Sequence, residues 1–566
     1  MRGFLQRHVP ILDWLPRYDR TWLRSDLIAG LAIWAVTVPQ GLAYAGIAGV
    51  PAVYGLYTVP LAMVGYAIFG TSRTLSVGPD SATVVLSAVT VGALVAQGTD
   101  DYIALSATLA LLVGVLFVIF GLLRLGWVAN FLSNPVMKGF IQGLALIVIV
   151  GQLPKLFGIE GGDGNFFEQL WVIITSLPES NLATTVVGFA SLALLLALKR
   201  YIPKAPSALI TVILAILVVT VFNLEESGVD VVGTIETGLP PIGLPGGNFD
   251  QLSALIGGAM AIVLVGYTES LGAANAAAAT TGEEIDPNQE LVALGVSNLG
   301  SGLSSGFVVA GSLSRTSVVV DSGGKSQMVS LVNALLVLLT LVFLMPFFQN
   351  LPQATLGAIV IQAMMGMLDL GYFRRMYRIS KPESVYASAT LLGELLVGVL
   401  LGVLLGVVIS LLLIIRRTSR PNTAAIGKIP GEETFRDVKH HPEAKTYPGL
   451  LIFRFDSELY FPNADYFSSE VRRHIAEAAE PVQEVLVNAE EINDIDTTGV
   501  DQLIKLNEDL DKLDIRFGMA HVKGAVRDLM NVIGAVEEIG EENIFESVQD
   551  GIDDFLERRS GPTTLG

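Results

Sequence analysis

Apolar stretches close to 20 residues long recur from Leu27 to Ile415, and they constrain this chain more than any other feature. A helix needs about 20 consecutive apolar residues to cross a bilayer, where only helices and closed barrels satisfy every backbone group. Candidate spans fall at about 27–46, 53–70, 80–97, 103–123, 135–153, 183–199, 206–222, 252–275, 290–305, 314–321 with the extended piece before it, 327–348, 354–370, 383–398 and 400–416. Fourteen such helices imply an all-α polytopic membrane domain. Composition agrees: 51% of the residues are hydrophobic, 16% are charged and the mean hydropathy is +0.58, which excludes an ordinary water-soluble enzyme.

Charge divides the chain. From Gly431 onward there are 13 Lys and Arg against 30 Asp and Glu, whereas the first 430 residues hold 22 against 24, so nearly all of the net −19 lies in the C-terminal part. That part is expected to be a separate acidic soluble domain, and its sign argues against nucleic acid as a partner. In the apolar region the basic clusters are Arg2, Arg7, Arg17, Arg20 and Arg24, then Arg124, Lys199-Arg200 with Lys204, Arg374-Arg375 with Arg378 and Lys381, and Arg416-Arg417 with Arg420. Fourteen crossings from a cytoplasmic start put all of them on one side. The acidic connections Asp100-Asp101, Glu160 to Glu168 and Glu225 to Asp250 fall on the other. This asymmetry predicts that both chain ends are cytoplasmic. One acidic loop, Glu283 to Glu290, lands on the basic side. Residues 1–25 have no short apolar core and no cleavage site of a signal peptide. Cysteine is absent, which excludes disulfides and thiolate chemistry, and the five histidines form no zinc-like cluster. No metal and no cofactor is expected.

Within the apolar region the run Gly306 to Asp321 stands out, because Arg315 sits in it beside Ser312, Ser314 and Thr316. A cation at membrane depth is costly unless it faces a water-filled cavity or a partner. The small residues Gly306, Gly311, Ser312 and Ser314 suit a helix that begins part-way through the bilayer with its free N–H groups turned to a cavity. Such a terminus together with a guanidinium makes an anion site; the alternative is an arginine paired with a carboxylate to hold two helices together. Ser76 to Leu86 opens the third span with Gly78, Pro79, Ser81 and Thr83, and Gly311 to Val320 opens the tenth in a similar way. The two lie seven spans apart, an odd number, so the second half would be inverted relative to the first. Paired interrupted spans of this kind point to a binding site at the bilayer midplane.

After Arg420 the pattern changes. Leu450 to Asp456, Glu484 to Asn488 and Ile515 to Val522 read as strands, and Val500 to Leu513 as a helix, which suggests a small α/β domain. Asp496-Thr-Thr-Gly499 supplies capping residues at that helix's start. The expected boundaries are a cytoplasmic segment 1–25, a transport domain 26–420, a linker 421–446, the α/β domain 447–558 and a tail 559–566.

These stretches resemble the sulfate permease superfamily, which includes the mammalian anion exchangers and prestin. The resemblance is carried by Val38-Pro-Gln-Gly-Leu-Ala-Tyr44, Gly55-Leu-Tyr57, Gly70-Thr-Ser-Arg73 with Ser76-Val-Gly-Pro79, Asn288 to Asn298, Gly311 to Thr316 and Asp496-Thr-Thr-Gly499, in that order along nearly the whole chain. It implies fourteen spans as two inverted seven-span repeats, with a core of spans 1–4 and 8–11, a gate of spans 5–7 and 12–14, and a C-terminal STAS domain like the bacterial anti-sigma-factor antagonists. It also implies a homodimer whose core moves against the gate like an elevator. By the same resemblance Gln40, Tyr44, Asp80, Ser81, Ser312, Ser314 and Arg315 line the anion pocket, and Thr498 falls where the antagonists are phosphorylated.

Two acids matter for coupling. Animal members of the family usually have an uncharged residue where Asp80 stands; an acid there would repel an anion unless it carries a proton or pairs with Arg315. Glu269 on the eighth span falls where the family has an acid implicated in cation coupling, but Ala273, Ala274 and Leu313 stand where sodium-dependent members supply hydroxyls. H⁺ is therefore favoured over Na⁺, with a structural Glu269 bonded to a helix terminus as the alternative. The chain has no ATP-binding loop and its acidic tail has no catalytic constellation. The expectation is a secondary active transporter in a cell inner membrane, not an enzyme, moving sulfate, a C4-dicarboxylate or bicarbonate with H⁺. An anion exchanger or channel without proton coupling is the alternative.

Overall fold

Helices occupy each of the fourteen stretches expected from hydropathy. The structure, a computed structural model, describes residues 8–131, 133–162, 164–203, 205–235, 237–246 and 251–560. Arg2, Arg7, Lys204, Asp250 and residues 561–566 of the expected tail lie outside them. The chain divides into two compact units, Met1–Ser410 and Leu411–Gly566.

The first unit is helical. Its elements are α1 (Leu23–Ala48), α2 (Ala52–Tyr57), α3 (Val59–Phe69), a two-residue strand β1 (Val77–Gly78), α4 (Ser81–Gly92), α5 (Asp100–Leu122), α6 (Asn134–Phe157), α7 (Phe166–Ser176), α8 (Leu182–Tyr201) and α9 (Ser207–Phe222). Then come α10 (Leu252–Thr281), α11 (Pro287–Leu303), the strand β2 (Ala310–Gly311), α12 (Leu313–Asp321), α13 (Met328–Leu339), α14 (Gln353–Met365), α15 (Leu370–Ile379), α16 (Lys381–Val397) and α17 (Val399–Ser419), whose last residues belong to the second unit. Among the described residues nine helical stretches are long and apolar enough to cross a membrane, while α4 and α9 are shorter apolar helices. The hydropathy reading did not separate α7 and α15. Both are amphipathic: α15 carries Arg374, Arg375 and Arg378 and buries only Met376, so neither forms a continuous apolar run.

Glycines let the helices behind the site approach closely. On α5, a Cβ at Gly114 would stand 2.8 Å from Leu299 and one at Gly121 2.6 Å from Val292; on α11, one at Gly295 would lie 2.8 Å from the Gly114 carbonyl. Small residues at such crossings allow the van der Waals packing and polar contacts that associate helices in lipid. The acidic loop on the basic side also has a structural explanation. Buried Glu290 accepts from the Tyr66 hydroxyl (2.7 Å), the Thr71 hydroxyl (2.7 Å) and the Thr71 N–H (2.8 Å), and Glu283 accepts from the Ser72 hydroxyl (2.9 Å) and the Arg73 N–H (2.8 Å). These acids hold Gly70 to Thr74, the segment that leads into β1.

The second unit is α/β. Six strands lie in the order β4-β3-β5-β6-β7-β8, where β3 is Thr423–Lys428, β4 Phe435–Asp437, β5 Leu450–Phe455, β6 Glu484–Asn488, β7 Arg516–Ala520 and β8 Ile544–Phe545. β5 to β8 run parallel and β3 is antiparallel to both its neighbours. The helices are α18 (Ala464–Glu477), α19 (Thr497–Asp511), α20 (Gly524–Ile533), α21 (Ala535–Ile539) and α22 (Val548–Ser560). Every residue of β6 is buried, as in a parallel strand covered on both faces. The expected linker 421–446 contains β3 and β4, which extend the sheet. β3 (Thr-Ala-Ala-Ile-Gly-Lys) is built mostly of small residues and β4 is only Phe-Arg-Asp, so neither shows the apolar alternation over four or more residues that marks a half-buried strand.

Candidate functional site

Two helices begin in the middle of the first unit, and a short ladder joins their starts. Val77 pairs with Gly311 and Gly78 with Ala310, antiparallel, and the Ser312 N–H donates to the Ser76 carbonyl at 3.2 Å. The Thr316 hydroxyl on α12 accepts from the Ser76 N–H at 3.1 Å. Behind the ladder, Asn298 of α11 takes both polar groups of Val309, donating to its carbonyl at 2.9 Å and accepting from its N–H at 3.0 Å. Ser270 of α10 accepts from the Gly311 N–H at 2.8 Å. Extended backbone is tolerated at membrane depth only when its polar groups are satisfied by protein or by a cavity, and here side chains of α10, α11 and α12 meet that need. Replacing Asn298 with alanine would strand two buried backbone groups. We expect a loss of about 2–6 kcal/mol, at roughly 1–3 kcal/mol for each unsatisfied group, read as a fall in the unfolding temperature in detergent; an unchanged temperature would remove this role.

Arg315 lies in the first turn of α12 and is only 2% exposed. Its guanidinium donates to the Pro79 carbonyl and, at 3.2 Å, to the Ala310 carbonyl, and so ties the two helix starts together. Gly78 makes room: a Cβ there would stand 3.7 Å from the guanidinium carbon. Nε is enclosed and has no acceptor. Among the described residues no carboxylate comes within 4 Å of this group, so Asp80 is not its ion-pair partner. The guanidinium is held by neutral carbonyls, and Asp80 acts on its charge only from beyond ion-pair distance.

Asp80 instead caps α4, where its carboxyl accepts from the Ala82 N–H at 3.3 Å. Glu269 of α10 lies close to Asp80, as do Tyr44 and Arg315. Glu269 Oε2 is enclosed and has no N–H or O–H donor, so that atom is not bonded to a helix terminus. Ser270, the adjacent hydroxyl, is already committed to the Gly266 carbonyl and the Gly311 N–H, and Ala273 and Ala274 are buried methyls.

The remaining expected residues gather here. Tyr44 on α1 is buried, faces Ser81 and lies among Asp80, Glu269 and Arg315. Gln40, one turn earlier on α1, has an enclosed Oε1 without a donor. Ser312 precedes α12 but does not cap it; its hydroxyl lies 3.1 Å from that of Ser314, which is exposed. The first-turn N–H groups of α12 are therefore free for an anion. Enclosed polar atoms are normally satisfied, yet Gln40, Glu269 and Arg315 each keep one that is not, all within this cluster. That arrangement suits a polar ligand.

Met367, just after α14, had no sequence signal; its sulfur accepts from the Ser81 hydroxyl at 3.7 Å and walls the site from the opposite set of helices. Thr498 lies in the second unit and is exposed in the first turn of α19. It does not cap that helix, because Asp496 does so through the Gly499 N–H at 2.7 Å.

Comparison with known proteins places the chain in a family. The profile of the sulfate permease family matches residues 23–390, and that of the STAS domain matches residues 441–551. A probable sulfate transporter of Mycobacterium tuberculosis (strain CDC 1551) is 37% identical over 541 residues, covering 96% of this chain and 97% of its own. Sulfate transporter 1.1 of Arabidopsis thaliana is 31% identical over 579 residues, covering 97% and 88%. Human solute carrier family 26 member 6 is 34% identical over 497 residues, covering 83% and 65%. The solved structure of the murine solute carrier 26 family member A9 anion transporter superposes with a TM-score of 0.90 at 24% identity, covering 98% of this chain and 95% of that one.

Proposed function

The chain belongs to the sulfate permease family, and from that premise we propose that it is a secondary active transporter that carries sulfate together with H⁺. Membership in a family of anion transporters, with a C-terminal STAS domain, stands on the matches themselves. The carboxyl pair Asp80–Glu269 beside Arg315 carries the proton-coupled reading. With one shared proton the pair holds a negative charge that offsets the guanidinium. A second proton leaves the pair neutral, and the site then presents one positive charge and the free N–H groups of α12. A unit charge about 5 Å from the substrate is worth ~3 kcal/mol for each unit of substrate charge at an effective dielectric of about 20, enough to change the affinity for a dianion by several orders of magnitude. Protonation and anion binding then favour each other, and the coupling is reciprocal.

Gln40, Tyr44, Ser81, Ser312 and Ser314 supply the hydrogen bonds and walls. Sulfate is preferred over a dicarboxylate or bicarbonate because sulfate transporters align along almost the full chain. In this reading α1–α5 and α10–α13 form the core and move against the gate α6–α9 and α14–α17 in a homodimer, with both ends and the STAS domain in the cytoplasm of a cell with an inner membrane.

Purified protein in liposomes tests this. We expect labelled sulfate uptake to accelerate with an inwardly directed proton gradient, and sulfate to drive proton entry in return. Uptake indifferent to the gradient and without proton movement would replace symport by exchange or a channel. Competition by unlabelled bicarbonate and C4-dicarboxylates ranks the substrates.

A further inference from the structure

The most isolated ionisable group in the first unit is not at the anion site. Glu394 on α16 is fully buried, and neither of its carboxyl oxygens has a hydrogen-bond partner. It stands in a glycine-lined notch. A Cβ at Gly143 of α6 would run into Oε2, and one at Gly402 of α17 would lie 2.8 Å from the Glu394 Cβ. The Leu144 N–H of α6 approaches the carboxyl without meeting hydrogen-bond geometry. The same three helices are closely packed towards the start of α16, where Gly139 abuts Ala387 and Gly406 abuts Val136 and Thr390.

No charge compensates it. The ionisable residues on the helices packed against α16 are Lys138 and Lys155 on α6, Glu168 on α7, and Tyr372, Arg374, Arg375, Tyr377 and Arg378 on α15, with Arg416 and Arg417 in the last turn of α17; α16 itself carries Lys381, Glu383 and Tyr386. Lys138 is 5.5 Å from the Tyr372 ring centre, and the Lys155 ammonium is the nearest atom to a Cβ built at Gly46 of α1. Among the described residues none of these forms an ion pair with Glu394. An isolated carboxylate without donors or a counter-charge is far too costly in a low-dielectric interior, and such a group is neutralised instead.

We propose that Glu394 is a proton-binding site of the α6–α16–α17 packing, separate from the Asp80–Glu269 pair, and that these helices hold together only while the proton is bound. The ligand is H⁺ itself. Loss of the proton puts a naked charge in a notch that encloses both carboxyl oxygens, so α16 is pushed away from α6 and α17. Nothing in this inference depends on sulfate or on coupled transport.

Dicyclohexylcarbodiimide, an apolar reagent that adds to protonated carboxyls, tests the site in full-length protein in liposomes. We expect peptide mass spectrometry to find the adduct on Glu394 at neutral pH, decreasing about tenfold per pH unit once the site loses its proton. Glu394→Gln, the neutral isostere, should lack the adduct and be spared the fall in unfolding temperature that the parent shows as pH rises above about 4.3, the ordinary glutamate value. The double variant Asp80→Asn, Glu269→Gln should leave both results unchanged, which separates this site from the coupling pair. Absence of the adduct at every pH, or superimposable pH–stability curves for the parent and Glu394→Gln, overturns the proposal. Should Glu394→Gln fail to fold, labelling of the parent decides alone.

Discussion

Replacing Arg315 with alanine is expected to abolish anion uptake, by at least about 100-fold, and to weaken the fold around the site. The first effect follows from charge, because the guanidinium has no carboxylate at ion-pair distance among the described residues and its field is available to a substrate. One unit charge contributes ~3 kcal/mol per unit of substrate charge at about 5 Å, and each 1.4 kcal/mol is a factor of ten. The second effect follows from its bonds to Pro79 and Ala310, whose carbonyls would be stranded at about 1–3 kcal/mol each. Arg315→Lys separates the two. It keeps a positive charge but cannot span both carbonyls with a planar fork, so we expect partial binding with weakened stability. Binding measured on detergent-solubilised protein that elutes as one species is the deciding assay. Unchanged sulfate affinity in folded Arg315→Ala would remove the anion site from this place.

Asp80→Asn is expected to uncouple uptake from the proton gradient while leaving a folded protein. Asparagine caps a helix about as well as aspartate, so the start of α4 survives. The Asp80–Glu269 pair loses its shared proton, and the site keeps Arg315 without the opposing charge. Sulfate should still bind, and its affinity should lose the rise with falling pH that the parent shows. Glu269→Gln should act in the same direction, and the double variant should add little, because both remove one shared unit. Retained proton dependence in both single variants would assign coupling to another group.

Much of the site was legible in the sequence because its chemistry is out of place in lipid. Arg315, Asp80 and Glu269 are ionisable residues among apolar ones, and Gly78-Pro79 and Gly311-Ser312 interrupt helices that would otherwise continue. The resemblance added Gln40 and Tyr44, which look like ordinary helix residues by themselves. What could not be read was partnership. Whether Asp80 met Arg315 or Glu269 depends on which rotamers point across the gap between α4, α10 and α12, and residue spacing does not encode that. Met367 contributes an apolar side chain from a distant segment and carries no local mark. The second unit shows the same limit. The central strands read clearly as buried apolar runs, whereas β3 and β4 form because a neighbouring strand edge is present to pair with, not because their own residues insist on it.

The ladder between Ser76–Gly78 and Ala310–Ser312, fastened by one guanidinium, bears on how a cargo could be released. Neither half-helix can slide past the other without breaking that seam. Any displacement of the site would therefore have to carry both helix starts as one piece, with the coordination they offer unchanged.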